Sequence, residues 1–324
     1  MSKRLLSMGF GKDLLTTLTR NGYQTQQDIT SRFDTAESLA TELKLSLDDA
    51  QSVLSRCKAS STSTPGFTML QMTQSAAQMV HKSQKVSTGC TPLDELLDGG
   101  LVTGSILELS GPPGSPKHVL AMNIVASFVE SGDEVVFIEC QNNTSPSSLS
   151  RFLEGNGKEL SNLVHFSKIS VLVDLLLFLH QLPTFLQSNS KVSLLVVNSI
   201  SSPFQNAELT ISQRTQTFER FKQSFLKICS APNLTVVLTS QLATKMINAD
   251  GTPGTFESGA KGVMLPQLGP AYLPSGKSYR VILATTGLGT GVMKLLSSPK
   301  YPPGKVPSIS APYKVIDGVI GSVG

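Results

Sequence analysis

The chain has 324 residues, 40% hydrophobic and 15% charged, with a formal net charge of +4. That length holds one large α/β domain plus a small satellite, and the composition excludes a disordered polyelectrolyte. So mild a charge does not by itself argue for nucleic acid. The most apolar run, residues 171–186, contains Asp174, His180 and Pro183, and it falls short of the roughly 20 apolar residues of a membrane span. Cys57, Cys90, Cys140 and Cys229 lie far apart without a C-x-x-C pair. They read as free buried thiols in a reducing compartment, with no metal site. The first residues lack a signal peptide's apolar core, so the expectation is a soluble intracellular protein without membrane contact.

Residues 5–57 read as several short helices. Leu14, Leu15 and Leu18 share a face, Asn21-Gly22 punctuates, and Ser46 caps the run from Leu47 to Leu54. Small helical domains of this kind bind DNA or partners, or serve as adaptors; the pattern does not choose. Ala59 to Gly66 has linker composition and is followed by Phe67-Thr68-Met69-Leu70. Phe67 either packs on its own domain or anchors in a neighbouring subunit.

From Val86 the pattern alternates. Strand-like runs at 105–109, 134–138, 163–166, 193–197, 234–239 and 279–283 are separated mostly by helical stretches at 117–128, 147–153, 171–186 and 209–228. The alternation predicts an α/β fold with a mostly parallel sheet covered on both faces, its ligands at the carboxyl ends of the strands. The expected organisation is a helical domain over 1–58, a linker with an interaction anchor over 59–85, and the α/β core over 86–324.

The apolar strand ending near Leu109 runs into Gly111-Pro112-Pro113-Gly114-Ser115-Pro116-Lys117-His118 and then a helix. Strand, glycine loop, lysine and helix is the plan of a phosphate-binding loop. The pattern G-x-x-x-x-G-K-[ST] is met in part. Gly111 and Lys117 keep the spacing, while Pro116 replaces the second glycine and His118 the hydroxyl. Lys117 keeps its charge at a helix N-terminus, which itself attracts anions. Pro116 removes a backbone donor, and His118 offers no oxygen to magnesium. Ser115 is a possible stand-in, three residues early.

Other strand ends show similar replacements. The strand through Val197 ends in Asn198 rather than an acid, and the strand through Ile138 leads to Glu139-Cys140-Gln141. The Gln141 amide positions a water but cannot take its proton. Thr239-Ser240-Gln241 ends a further strand as a polar turn or a phosphate sensor. Losing the hydroxyl, the strand-end acid and the base together makes efficient hydrolysis improbable. Beyond Gln241 eight basic residues face three acids, a surplus that is either incidental or nucleic-acid binding.

These residues resemble the eukaryotic Rad-type recombinases of the RecA superfamily, and most of all their C-type paralogue. The segment Ser87-Thr88-Gly89-Cys90, with Leu93 to Leu101 and Gly104-Ser105, is similar to the family's approach to its phosphate loop. Leu182 to Leu186, Ser190 to Ile200 with Pro203-Phe204, Arg214-Thr215 and Val236 to Gln241 are similar to the C-type paralogue in particular. The resemblance implies a RecA-like core in which Gly111 to His118 takes the Walker A position, Asn198 the Walker B acid's place and Gln141 the catalytic glutamate's.

It also implies ATP as cofactor, with Mg²⁺ in doubt, and a nucleotide site completed by Gln241. Phe67 and Leu70 stand where the family carries a subunit-docking Phe-x-x-Ala motif. Leu242 to Gln267 stands where it has a disordered DNA-binding loop, with Lys245 and Lys261 as phosphate contacts. The implied partners are single-stranded or recombination-intermediate DNA, other recombinase paralogues and the strand-exchange recombinase, in the nucleus. Three readings follow: a pseudo-ATPase recombination accessory, a DNA-dependent ATPase with an atypical magnesium site, and an interaction module without DNA contact.

Overall fold

The computed structural model describes residues 5–8, 10–33, 35–61, 85–154, 160–205, 207–230, 234–302, 304–316 and 319–322. Phe67 and Leu70 lie outside the described residues. The chain divides into two compact units between Val80 and His81.

The first unit holds α1 (Lys12–Arg20), α2 (Gln26–Thr30), α3 (Ala36–Leu43) and α4 (Leu47–Ser61). Its helix starts are written in the sequence. The Thr25 side chain accepts from the Asp28 amide while Asp28 caps the Thr25 amide in return, and Ser46 Oγ accepts from the Asp49 amide at 3.1 Å. Leu18, Ile29, Leu39 and Val53 close its core with no exposed surface.

The second unit begins with β1 (Lys85–Val86), α5 (Thr91–Leu96), β2 (Leu101–Val102), β3 (Ile106–Gly111) and α6 (Lys117–Glu130). It continues with β4 (Glu134–Glu139), α7 (Pro146–Glu154), β5 (Val164–Lys168), α8 (Leu172–Ser188), β6 (Val192–Asn198), α9 (Ser202–Gln205) and α10 (Ile211–Ser230). Last come β7 (Thr235–Ile247), β8 (Lys261–Pro266), β9 (Ser278–Gly287), β10 (Thr290–Ser297), β11 (Ser310–Ile316) and β12 (Val319–Ser322). The main sheet has the order β12-β11-β10-β9-β3-β7-β6-β4-β5. From β9 to β5 it is parallel, and β10 to β12 add antiparallel strands at one edge.

Successive residues of a strand face opposite sides, and the sequence supplies apolar residues to both. Leu107, Leu109 and Phe137 pack with Ile124, Val125 and Phe128 of α6. Ile106, Val136 and Val197 pack with Leu175 and Leu179 of α8 and Phe221 and Phe225 of α10. Each such large side chain contributes roughly 1.5–3 kcal/mol on burial. Register then sets the site: Glu139 lies beside Asn198 at the carboxyl ends of β4 and β6, and Gly111, at the end of β3, lies beside Gln241 within β7.

Two expectations are corrected. Thr239-Ser240-Gln241 is not a strand end: β7 runs on to Ile247 and pairs with β8 in a separate antiparallel hairpin from Leu242↔Pro266 to Ile247↔Lys261. Where the resemblance implied a disordered loop, backbone pairing therefore continues. The edge strands β10–β12 were absent from the sequence reading. Their side chains alternate between exposed and buried, and Pro299, Pro302 and Pro307 with Gly304 give the connecting stretch the look of a loop.

All four cysteines are buried thiols that take part in no disulfide. Burial pushes the Cys90 thiol up to about 11 and the Cys140 and Cys229 thiols up to about 12, from an ordinary value of 9.0. The stability tied to these neutral thiols is fully present below pH 9 and is lost as pH rises through the folded values. A thiol reagent added to the native protein at about pH 8 should label none of the four, and all four after denaturation; rapid native labelling would contradict the burial.

Candidate nucleotide site

The loop after β3 turns on Gly111 and Gly114. A side chain at Gly111 would collide with Ser115 Oγ, and Gly114 adopts a positive φ of 80°. The three prolines remove three backbone donors from the loop. Lys117 compensates from within: its Nζ donates to the Gly111 carbonyl at 3.1 Å and the Pro112 carbonyl at 3.0 Å, with Ser115 Oγ at 3.4 Å. Lys117 is 8% exposed, and burial lowers its pKa. Ser115 Oγ donates to the Pro112 carbonyl at 2.8 Å, so it braces the loop and does not stand in as the magnesium hydroxyl.

The strand ends beside the loop form one closed network. Glu139, buried at the end of β4, accepts from the amides of Gln141 (2.9 Å), Asn143 (3.2 Å) and Thr144 (3.2 Å). Its Oε2 also accepts from Asn198 Nδ2 at 2.9 Å. A carboxylate only accepts, so the Asn198 amide nitrogen must point at it. Asn198 Oδ1 accepts from Thr239 Oγ1 at 2.6 Å. The second Asn198 hydrogen faces Thr144 Oγ1 at 3.3 Å and His118 Nδ1 at 3.4 Å. Nδ1 is thereby the acceptor, and the neutral ring carries its proton on Nε2. Burial depresses the His118 pKa, Glu139 raises it, and Lys117 lowers it further.

The structure brings the sequence-read site residues together around a polar cleft of about 680 Å³. Pro113, Gly114, Ser115, Lys117, His118, Gln141, Asn198 and Gln241 line it. Gln141 Oε1 is held by Asn143 Nδ2 at 3.1 Å, and the Gln241 amide donates to Ser201 Oγ at 3.1 Å. Thr144 and Ser201 escaped the sequence reading, since small hydroxyls are common and only the fold shows what they touch; Thr239 was singled out, but not as a partner of Asn198.

The cleft's residues fit a phosphate chain: a buried ammonium at the head of a helix, beside amide side chains. They do not fit a magnesium ion. The strand-end carboxylate already accepts four hydrogen bonds, and the neighbouring ligand positions present nitrogens to a cation that prefers oxygen. Among the described residues no group of three or more His, Cys, Asp or Glu could hold a metal ion.

Lys245 and Lys261 lie on the β7–β8 hairpin. Lys245 pairs with Val263 and Ile247 with Lys261, so strand alternation puts both lysines on one face. As diagonal neighbours their Cα atoms are ~7–8 Å apart. Burial lowers the Lys245 pKa, and Arg280 and Arg214 lower it further. Lys261 is exposed. Phe256, 86% exposed between the two arms, was missed; an aromatic in a glycine-rich basic segment was the available signal.

Residues 80–317 match the family model described as Rad51. The chain belongs to the Rad51 family. It is 24% identical over 288 residues to "DNA repair protein RAD51 homolog 3" of Cricetulus griseus, covering 76% of this chain and 77% of that protein. It is also 24% identical over 229 residues to a protein of the same name from Dictyostelium discoideum, covering 62% of this chain and 57% of that protein. The Rad51 match takes in the whole RecA-like sheet up to β11, the phosphate loop and the hairpin. Among the described residues of this Rad51-family chain, no helix is long and apolar enough to cross a membrane.

His118 gives the site a pH signature. Its folded pKa lies below the ordinary 6.5, so the unfolded chain takes up the proton first as pH falls. The parent should lose more thermal stability than His118→Gln on acidification from about pH 7.5 to 5. Parallel melting curves over that range would refute the network as drawn.

Proposed function

We propose that this Rad51-family chain is a recombinase paralogue acting in homologous recombination and DNA double-strand break repair in the nucleus. It binds single-stranded or recombination-intermediate DNA, other recombinase paralogues and the strand-exchange recombinase. Its ATP site holds phosphates on Lys117 and the loop, while hydrolysis is weak or absent. The observation that carries this reading is the joint replacement of hydroxyl, acid and base by His118, Asn198 and Gln141 in one cleft, their neighbours already satisfied by each other. Loss of a general base alone typically costs about 10²–10⁴-fold in rate. The relatives' names, which speak of DNA repair, support the biological setting.

The competing reading is an active DNA-dependent ATPase. Purified protein with ATP, Mg²⁺ and single-stranded DNA should show no turnover above background; turnover abolished by Lys117→Ala would overturn the pseudo-ATPase reading.

DNA contact is supported by two lysines on one hairpin face and an exposed aromatic in the stretch that joins its strands. Replacing Lys245 and Lys261 together by Ala should weaken single-stranded DNA binding. The change should reduce the salt slope by about 1.4, from roughly 0.7 per lost phosphate contact. Phe256→Ala should cost about 1–3 kcal/mol if a base stacks there. Unchanged affinity and slope in both variants would leave the pure interaction module standing. For the linker anchor, Phe67→Glu should abolish pull-down of a partner paralogue, and retained binding would reassign Phe67 to packing within its own unit.

A further inference from the structure

A magnesium ion in a phosphate-binding loop has two tasks. It neutralises the strand-end acid and the phosphates, and it ties both to the hydroxyl after the lysine. Both protein positions are changed here, to Asn198 and His118, and the changes complement each other. The Asn198 amide has two hydrogens and one oxygen. One hydrogen goes to the Glu139 carboxylate, the other is shared between Thr144 Oγ1 and His118 Nδ1, and the oxygen accepts from Thr239 Oγ1. Every polar atom of this buried side chain is therefore used.

We propose that this amide-centred network takes the cation's place, so that the cleft binds the polyphosphate of a nucleotide in its metal-free form. The inference rests on the reading of the cleft as a nucleotide-phosphate site. Glu139, which an ion would otherwise have to satisfy, needs none, since three backbone amides and Asn198 meet its charge. An incoming ion would have to break those bonds and shed its own waters, and magnesium dehydrates reluctantly. The positive charge offered to phosphate comes instead from Lys117, which is buried and bonded only to neutral oxygens, and from the start of α6. Gln141, Asn142 and Asn143 line the facing wall and add neutral donors without requiring a metal. The outcome is a site of opposite metal dependence from a working phosphate loop.

The test is titration of the full-length chain with ATP, and separately with inorganic tripolyphosphate, in excess EDTA and in excess Mg²⁺, read by calorimetry. The expected apparent dissociation constant is about tenfold or more weaker in excess Mg²⁺ than in EDTA, because the ion draws the free polyphosphate into its metal complex. Equal or tighter binding in Mg²⁺ would overturn the substitution while leaving nucleotide binding intact. No binding in either medium would overturn the nucleotide reading itself.

Thermal unfolding supplies an independent readout. The melting temperature of the parent should not respond to Mg²⁺. Asn198→Asp sets a second carboxylate against Glu139, and like charges in contact repel. This variant should melt lower in EDTA and recover when Mg²⁺ is added. A parent that gains stability from Mg²⁺, or an Asn198→Asp protein indifferent to it, would sink the idea. If Asn198→Asp fails to fold, the parent's titrations and melts decide alone. Neither measurement contains DNA or a partner, so failure here and failure of the recombination reading remain separate.

Discussion

The buried carboxylate of Glu139 shapes everything around the polar cleft. A carboxylate out of water is costly unless its lone pairs are met by donors, and here the donors come from the turn that follows it. To deliver the amides of Gln141, Asn143 and Thr144 back to Glu139, the chain must curl directly after β4, and Asn142 takes a positive φ of 61° in doing so. Asparagine tolerates that region better than most residues. The curl points Gln141, Asn142 and Asn143 into the cleft and sets the start of α7. Parallel register with β6 then brings Asn198 alongside as the fourth donor. Removing one partner of such a buried charge exposes the full desolvation penalty, of the order of 1–3 kcal/mol or more.

A second buried carboxylate plays a comparable part under the sheet. Glu108, in the middle of β3, accepts from Ser240 Oγ at 2.9 Å, Tyr272 OH at 2.8 Å and Arg280 Nε. Ser240 in turn meets Ser110, the last residue before the phosphate loop's first glycine. This cluster therefore ties the strand that carries the loop to β7, which leaves the sheet as the hairpin, and to β9. Tyr272 also packs at a tilt against Phe218 and Phe225, anchoring the polar cluster to the α10 side of the core. Arg214 lies over Phe218, and Arg280 and Arg214 both act on Lys245, whose pKa they lower while Glu108 raises it.

How much of this was legible follows from what each residue touches. The parallel strands were readable because both faces are buried, leaving continuous apolar runs such as Leu194 to Val197. The loop between β3 and the helix starting at Lys117 was readable because glycines and prolines break the apolar runs on either side of it. Asn198 was findable because it closes an apolar strand where an acid was expected. Glu139, though visible as an acid, concealed its role: its donors are backbone amides, which carry no sequence signature. The sequence left open what the Ser115 hydroxyl does for a similar reason, since its acceptor is the Pro112 carbonyl. The length of β7 was missed because Leu242 to Ile247 mixes polar and apolar residues, and its pairing partner lies beyond the glycine-rich turn.

The survival of Lys117 beside so many replacements has a physical account within the loop. Pro112, Pro113 and Pro116 leave the loop short of donors, and the Lys117 ammonium meets two of its carbonyls. That role alone would retain a lysine. It does not, however, satisfy the charge. The ammonium is desolvated, its partners are neutral oxygens, and its pKa is lowered for that reason. A phosphate drawn toward Lys117 would restore the lost counter-charge, whereas a magnesium ion arriving with it would bring positive charge next to an ammonium that lacks a counter-charge. The same burial that closes the loop on itself therefore favours an anion in the cleft and disfavours a cation beside it.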